Sequence, residues 1–188
     1  MQLLNQIARL SPECQEAICN KLERIELPKK SLYIKEGLIS RYICFIVSGM
    51  VRSYDLTDGK EYTNYINCEG DIFYVVQSFD KQRPSTQYIM AVEDTLIYRM
   101  SYEDITDIYA QFPEFLAHKA AITQKYYEIT DAIAVSLRKK KPEDMYAYLM
   151  EHRPAVMLRI PGKYIASYMG VCLRTYNKIK KNYCSRKH

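Results

Sequence analysis

The sequence predicts an α+β fold in three parts: short N-terminal helices leading into an antiparallel β barrel or sandwich, one long helix, and a C-terminal helix, tight turn, helix. Three observations predict it. Between residues 31 and 100, short runs rich in Tyr, Ile, Val and Phe are broken by turn residues about every 10–14 positions. From 113 to 138 apolar residues recur at the period of a helix, with no internal breaker. Beyond 138 the charge changes sign, and a small residue is followed four positions later by glycine.

The elements follow in order. Residues 3–10 and 12–25 read as helices; Ser11-Pro12 gives a cap and a first-turn proline, and Pro28 stops the run. The strands of 31–100 are bounded by Glu36-Gly37, Ser48-Gly49, Asp58-Gly59, Glu69-Gly70 and Arg83-Pro84-Ser85. Asp58-Gly59, between Val51–Leu56 and Tyr62–Ile66, is the clearest hairpin. Ile105, Ile108 and Tyr109 mark a helix before Pro113. Ile122, Tyr126, Ile129, Ile133 and Leu137 then form one stripe on the long helix. The stripe serves either packing on the chain's own barrel or a seam between two copies. A helix over 113–138 spans about 38 Å at 1.5 Å per residue, more than a small barrel covers, which favours a homodimer seam through those five residues. Lys139-Lys140-Lys141-Pro142 reads as a hinge. Pro142-Glu143-Asp144 opens the next helix, with Met145, Tyr148 and Leu149 on its inner face. The expected boundaries are 1–112, 113–138 and 139–188.

Composition narrows the function. The chain has 188 residues, 48% of them apolar and 26% charged, enough to bury a core. Its longest apolar runs, Tyr42 to Val47 among them, fall far short of the roughly 20 residues of a membrane span. The first residues carry no basic region followed by an apolar stretch, so a cytoplasmic protein without membrane partners is expected. The six cysteines are scattered without a CxxC pair and there are only three histidines, so no metal site is expected. Residues 31–100 hold no histidine, which argues against a metal-dependent barrel enzyme. Neither a Ser/His/Asp set nor a glycine-rich phosphate loop is present; no catalytic residue is assigned and the chain is not expected to be an enzyme.

Charge is more telling. Residues 138–188 hold 13 Lys or Arg against three acids, while 1–137 carry a net charge of −5. No acid follows Glu151. An acidic body with a basic C-terminal segment points to a polyanion partner. Within that segment, Ala166 and Gly170 carry the spacing of two crossed helices joined by a tight turn, with Ile165, Met169, Tyr176 and Ile179 between them and Val171 in the turn. The second helix would turn Arg174, Asn177, Lys178 and Lys181 outward. This is helix-turn-helix spacing suited to the major groove of double-stranded DNA. A plain helical hairpin with a basic solvent face is the bland alternative.

Taken together, the chain resembles the Crp–Fnr superfamily of transcription regulators over essentially its whole length. The resemblance rests on Gly37, Ile43-Cys44-Phe45-Ile46-Val47-Ser48-Gly49, Gly59-Lys60-Glu61, Gly70-Asp71 and Tyr164-Ile165-Ala166-Ser167-Tyr168-Met169-Gly170. It implies a jelly-roll-like β-roll sensor domain, a dimerisation helix and a helix-turn-helix domain whose wing is reduced, since the chain stops soon after the second helix. It implies a homodimer on a DNA operator, with RNA polymerase as a further partner. Family members that bind cyclic nucleotides carry a cassette resembling Gly-Glu-Leu, a gap, then Arg-Ser or Arg-Thr. Here the first part reads Gly70-Asp71-Ile72, and Ser85-Thr86 fall where the arginine pair would be, with Arg83 two residues earlier. Loss of a guanidinium removes the bidentate phosphate partner, so cyclic AMP binding is expected to be lost and the effector is left unidentified. No cofactor is expected: Cys14, Cys19, Cys44 and Cys68 do not match the family's iron–sulfur spacing, and His118, a conceivable haem ligand, reads as an exposed helix residue.

By the same resemblance the pocket would be lined by Gly70, Asp71, Ile72, Arg83, Ser85, Thr86 and Tyr88, with Tyr126 and Thr130 from the long helix. The base-reading positions fall on Leu173, Arg174 and Lys178, with Asn177 beside them; Lys163, Thr175, Lys180 and Lys181 are assigned to phosphates. Cys172 replaces the family's serine cap and Arg174 its glutamate, which shifts the preference toward guanine. The competing class is a ligand-binding or protein-interaction β-roll without sequence-specific DNA binding.

Overall fold

The structure, a computed structural model, describes residues 9–121, 123–124, 127–128 and 141–185. Ser11 caps helix α1 (Pro12–Lys21), its hydroxyl accepting from the Cys14 amide at 3.2 Å. The helix is shorter than its periodicity predicts. Ile18, Leu22 and Ile25 step by four and three, as on a helix face, yet Leu22 is extended and Glu23–Leu27 form strand β1. Over that stretch Ile25 and Leu27 also alternate with Arg24 and Glu26, and pairing with a neighbouring strand decides between the two periods.

Seven further strands follow: β2 (Leu32–Ile34), β3 (Tyr42–Ser48), β4 (Met50–Thr57), β5 (Lys60–Cys68), β6 (Ile72–Phe73), β7 (Tyr88–Ala91) and β8 (Thr95–Ser101), with helix α2 (Val76–Lys81) between β6 and β7. They form two antiparallel four-stranded sheets, ordered β1-β8-β3-β6 and β2-β7-β4-β5. The β4–β5 hairpin turns at Asp58-Gly59, both at positive φ (51° and 74°), as a tight turn between right-twisted strands requires. Gly49 joins β3 to β4 and carries the chain from one sheet to the other. Its φ is +96°, and a Cβ there would lie 2.5 Å from the Asp94 carbonyl oxygen, so a side chain is excluded twice over.

Between the sheets lies a packed interior that includes Cys44, Ile46, Val51, Phe73, Ile89, Ala91 and Ile97. Cys44 donates to the Tyr33 hydroxyl at 3.1 Å, and burial pushes its thiol up to about 12; it is a core residue. On the outer side of the first sheet, α1 and helix α3 (Tyr102–Gln111) bury Cys14, Ile18, Met100, Ile105 and Ile108. A 3-10 turn (Pro113–Phe115) leads into α4, helical at 116–121, 123–124 and 127–128. His118, expected on an exposed helix surface, is instead fully buried with its ring stacked on Phe115 at 5.2 Å. The seam residues Ile122, Tyr126, Ile129, Ile133 and Leu137 lie outside the described residues.

The C-terminal helices are α5 (Pro142–His152), α6 (Pro154–Arg159), α7 (Gly162–Tyr168) and α8 (Leu173–Ser185). Met145, Leu149, Val156, Ile165, Met169, Tyr176 and Ile179 are buried among them. This core is shared: Met50, Ile66 and Val92, on the outer side of the second sheet, belong to it.

Candidate DNA-binding face and effector site

The pair α7–α8 meets through small and apolar side chains. Ala166 and Ile165 are buried against Tyr176 and Ile179. The closest approach is at Gly162, where an added Cβ would lie 2.7 Å from the Tyr176 ring. The turn is closed by the Val171 amide on the Ala166 carbonyl at 2.9 Å, with Gly170 at φ 67°. Cys172 precedes α8; its sulfur lies 3.2 Å from the Thr175 hydroxyl, and that hydrogen bond, followed by backbone amides, lowers the thiol below its ordinary range. The cysteine thus occupies the place of a serine cap with a side-chain contact of its own.

Every residue that the sequence assigned to DNA is exposed: Lys163 on α7, and Leu173, Arg174, Thr175, Asn177, Lys178, Lys180 and Lys181 on α8. Leu173 is apolar yet 47% exposed at the start of the helix. Tyr176 and Ile179, on the opposite face of α8, are buried, so packing fixes which side the basic residues present.

Among the described residues assigned to the effector pocket, Asp71, Ser85 and Tyr88 each have their own partners. Asp71 accepts from the Cys68 amide at 3.0 Å and from Arg153 of the α5–α6 junction at 2.8 Å. Ser85 is buried and turned onto its own loop, exchanging hydrogen bonds with Gln87 at 2.8 and 2.9 Å. Arg83 and Thr86 are exposed. Tyr88 stacks on Tyr54 at 5.1 Å. Gly70 makes the turn before β6 at φ 83°. Tyr126 and Thr130 lie outside the described residues. Ile72 faces a different space, a cavity of about 950 Å³ on the outer side of the first sheet, walled by α1, α3 and α4. Phe45, Val47, Tyr98 and Tyr109 line it, and Lys119 is its one cation among the described residues. Sequence reasoning missed this space because its walls come from three strands and several helices far apart in the chain, each patterned like ordinary core.

It also missed Arg52. This arginine is 1% exposed, its guanidinium 4.1 Å from the Tyr54 ring centre and 3.7 Å from that of Tyr164 on α7. Glu61 pairs with it, and the Thr63 hydroxyl accepts from it at 3.2 Å. Cation–π contact with two rings, together with Glu61 and Thr63, holds a buried charge that hydropathy alone would place in solvent. Among the described residues no group of three or more His, Cys, Asp and Glu could hold a metal ion, and no helix is long and apolar enough to cross a membrane.

Residues 24–112 match the cyclic nucleotide-binding domain family. No curated protein matches the sequence. Solved structures match its fold. FixK2 from Bradyrhizobium japonicum is 18% identical, with a TM-score of 0.77 over 88% of this chain and 86% of that one. A transcriptional regulator of the Crp/Fnr family from Eubacterium rectale is 17% identical, with a TM-score of 0.72 over 99% and 88%. The catabolite activator protein of Thermus thermophilus is 18% identical, with a TM-score of 0.59 over 98% and 88%. Residues 24–112 thus resemble a cyclic nucleotide-binding domain, set in a chain whose fold is that of solved Crp–Fnr regulators.

Proposed function

We propose that the protein is a DNA-binding transcription regulator that works as a homodimer, its α7–α8 pair a helix-turn-helix and its β-roll a sensor. The observation that carries this reading is the exposed face of α8, where Arg174, Asn177, Lys178 and Lys181 stand on a helix packed through Tyr176 and Ile179. A helix so placed can enter a major groove while α7 crosses the phosphate backbone. The charge division supports it, since the basic residues lie in the segment that carries this face. Structures of similar fold include a global regulator from Xanthomonas campestris and a transcriptional regulator from Eubacterium rectale, which supports regulation over catalysis.

The sensing half differs from a cyclic nucleotide site. Asp71 is engaged by Arg153, Ser85 by its own loop, and no guanidinium faces the roll interior from the cassette position. The apolar cavity on the first sheet's outer side is the better candidate for an effector, and its walls suit a mainly apolar molecule over a phosphodiester. RNA polymerase is the partner a regulator of this kind would meet.

The test is footprinting of selected duplexes with the purified full chain, repeated across a salt series and with added cyclic AMP. Protected half-sites about 34–36 Å apart, with affinity falling steeply as salt rises, are expected. Cyclic AMP should leave the footprint unchanged. Binding that is independent of salt and protects no site would leave the interaction-module alternative.

A further inference from the structure

The cavity on the outer side of the first sheet is lined by seven aromatic rings, and packing holds several of them in fixed groups. Tyr74, Phe79 and Tyr102 meet edge to face, with ring centres 5.3 Å apart at each contact. Tyr109 stacks on Phe115 at 5.4 Å. Such walls offer rigid faces and edges to a flat ring, which loses little conformational freedom on entering, whereas a flexible chain of equal area loses more. The volume of about 950 Å³ lies at the upper end of small-molecule pockets and has room for a fused-ring skeleton.

The polar groups are few. Tyr74 and Tyr109 are half-buried, and neither hydroxyl has a hydrogen-bond partner among the described residues. Burial is the main cause that pushes the Tyr109 hydroxyl up to about 12, and it raises Tyr74 as well. Asp80 acts on both hydroxyls in the same direction, and Tyr74 on Tyr109, so the two share one corner of the cavity as neutral donors. The Thr106 hydroxyl is already engaged, donating to the Tyr102 carbonyl at 2.7 Å. Lys119 and Asp80 are exposed and of opposite charge, with the Lys119 ammonium 5.5 Å from the centre of the Tyr109 ring. The pair selects neither an anion nor a cation.

We propose that this cavity binds a flat, uncharged ring compound carrying a carbonyl oxygen, a fused-ring ketone or a quinone, whose oxygen accepts from the Tyr74 and Tyr109 hydroxyls. The proposal rests on the reading of this cavity as the effector site and names the class of molecule. The apolar rings supply contact area, and the two free donors supply the choice between an oxygenated ring and a plain hydrocarbon.

Fluorenone and fluorene share one fused-ring skeleton and differ at the carbonyl. Equilibrium dialysis of each against the full chain compares them directly, with decanoate as a flexible, anionic probe. Fluorenone should bind roughly fivefold tighter than fluorene or more, the factor that one hydrogen bond of ordinary net strength supplies. Tyr74→Phe with Tyr109→Phe keeps both rings and removes both hydroxyls; fluorene should bind as before, and the preference for fluorenone should vanish. Val47→Trp, at an exposed position of β3 on the cavity wall, fills the space and should exclude both compounds. Equal binding of the two by wild type, a preference that survives loss of both hydroxyls, binding that Val47→Trp leaves untouched, or no binding of either compound overturns the proposal. Decanoate held more tightly than fluorenone overturns it in favour of an anionic amphiphile. Footprinting with added fluorenone separates the ligand from its consequence: a cavity that fills while the footprint stays the same leaves the ligand class standing and removes the effector role.

Discussion

Arg174 stands in the first turn of α8, exposed beside Lys178 one turn on. A guanidinium there offers two parallel donors, which match O6 and N7 of guanine. Arg174→Ala should cost about 1–3 kcal/mol on the preferred site and flatten the preference at that base. Lys181→Ala should weaken preferred and random duplexes alike and lower the salt slope by about one. Equal losses on specific and random DNA for Arg174→Ala would make it a phosphate contact. The exposed basic face could be read from the sequence because amphipathic spacing fixes which side of a helix is buried. Arg52 could not. Its burial depends on Tyr164 arriving from a helix more than a hundred positions away, and nothing near residue 52 announces that. His118 was hidden similarly: a lone histidine beside Lys119 on a helix reads as exposed, and its cover comes from Phe115 and the packing around it.

At the scale of elements, the long helix carries the next expectation. Its stripe of Ile122, Ile129 and Ile133 marks one face for a partner helix, and Ile129→Glu would bury a charge on both sides of a two-fold seam. Sedimentation of that variant should show loss of the dimer; a dimer as firm as wild type would place the seam elsewhere. The strands of 31–100 were legible because each turn glycine or aspartate states where a strand ends, and the Asp58-Gly59 hairpin falls where its residues demand. Strand β1 was not legible, because Ile18, Leu22 and Ile25 satisfy a helical period while Ile25 and Leu27 satisfy a strand's. The cassette positions were legible as residues but not as a site. Ser85 and Asp71 have partners in their own loop and in the C-terminal helices, and a motif comparison sees neither.

At the scale of the molecule, the roll and the C-terminal helices are joined by charge as well as by packing. Arg159 holds the Glu69 carboxyl down to about 2, chiefly through its hydrogen bonds, against an ordinary value of 4.5. A lowered folded-state value means that the stabilisation is complete above the unfolded value and is lost as pH falls toward 2. The pair is half-exposed and solvent-screened, so it contributes at most about 1 kcal/mol. Wild type should therefore resist urea slightly better than Glu69→Gln at pH 6, and the advantage should fade below pH 4.5; an advantage that persists unchanged at pH 2.5 would show that Glu69 acts through something other than its charge. Beneath these pairs, β4 binds the two halves more deeply. Met50 points into the core of the C-terminal helices, and Val51, the next residue, into the roll. A growing chain therefore completes β4 well before the helices that will cover Met50 exist, and until they are made Met50, Ile66 and Val92 form a bare apolar patch on a nascent roll. Chaperone engagement during synthesis has a natural address there, and the helices α5 to α8 are the ones that retire it.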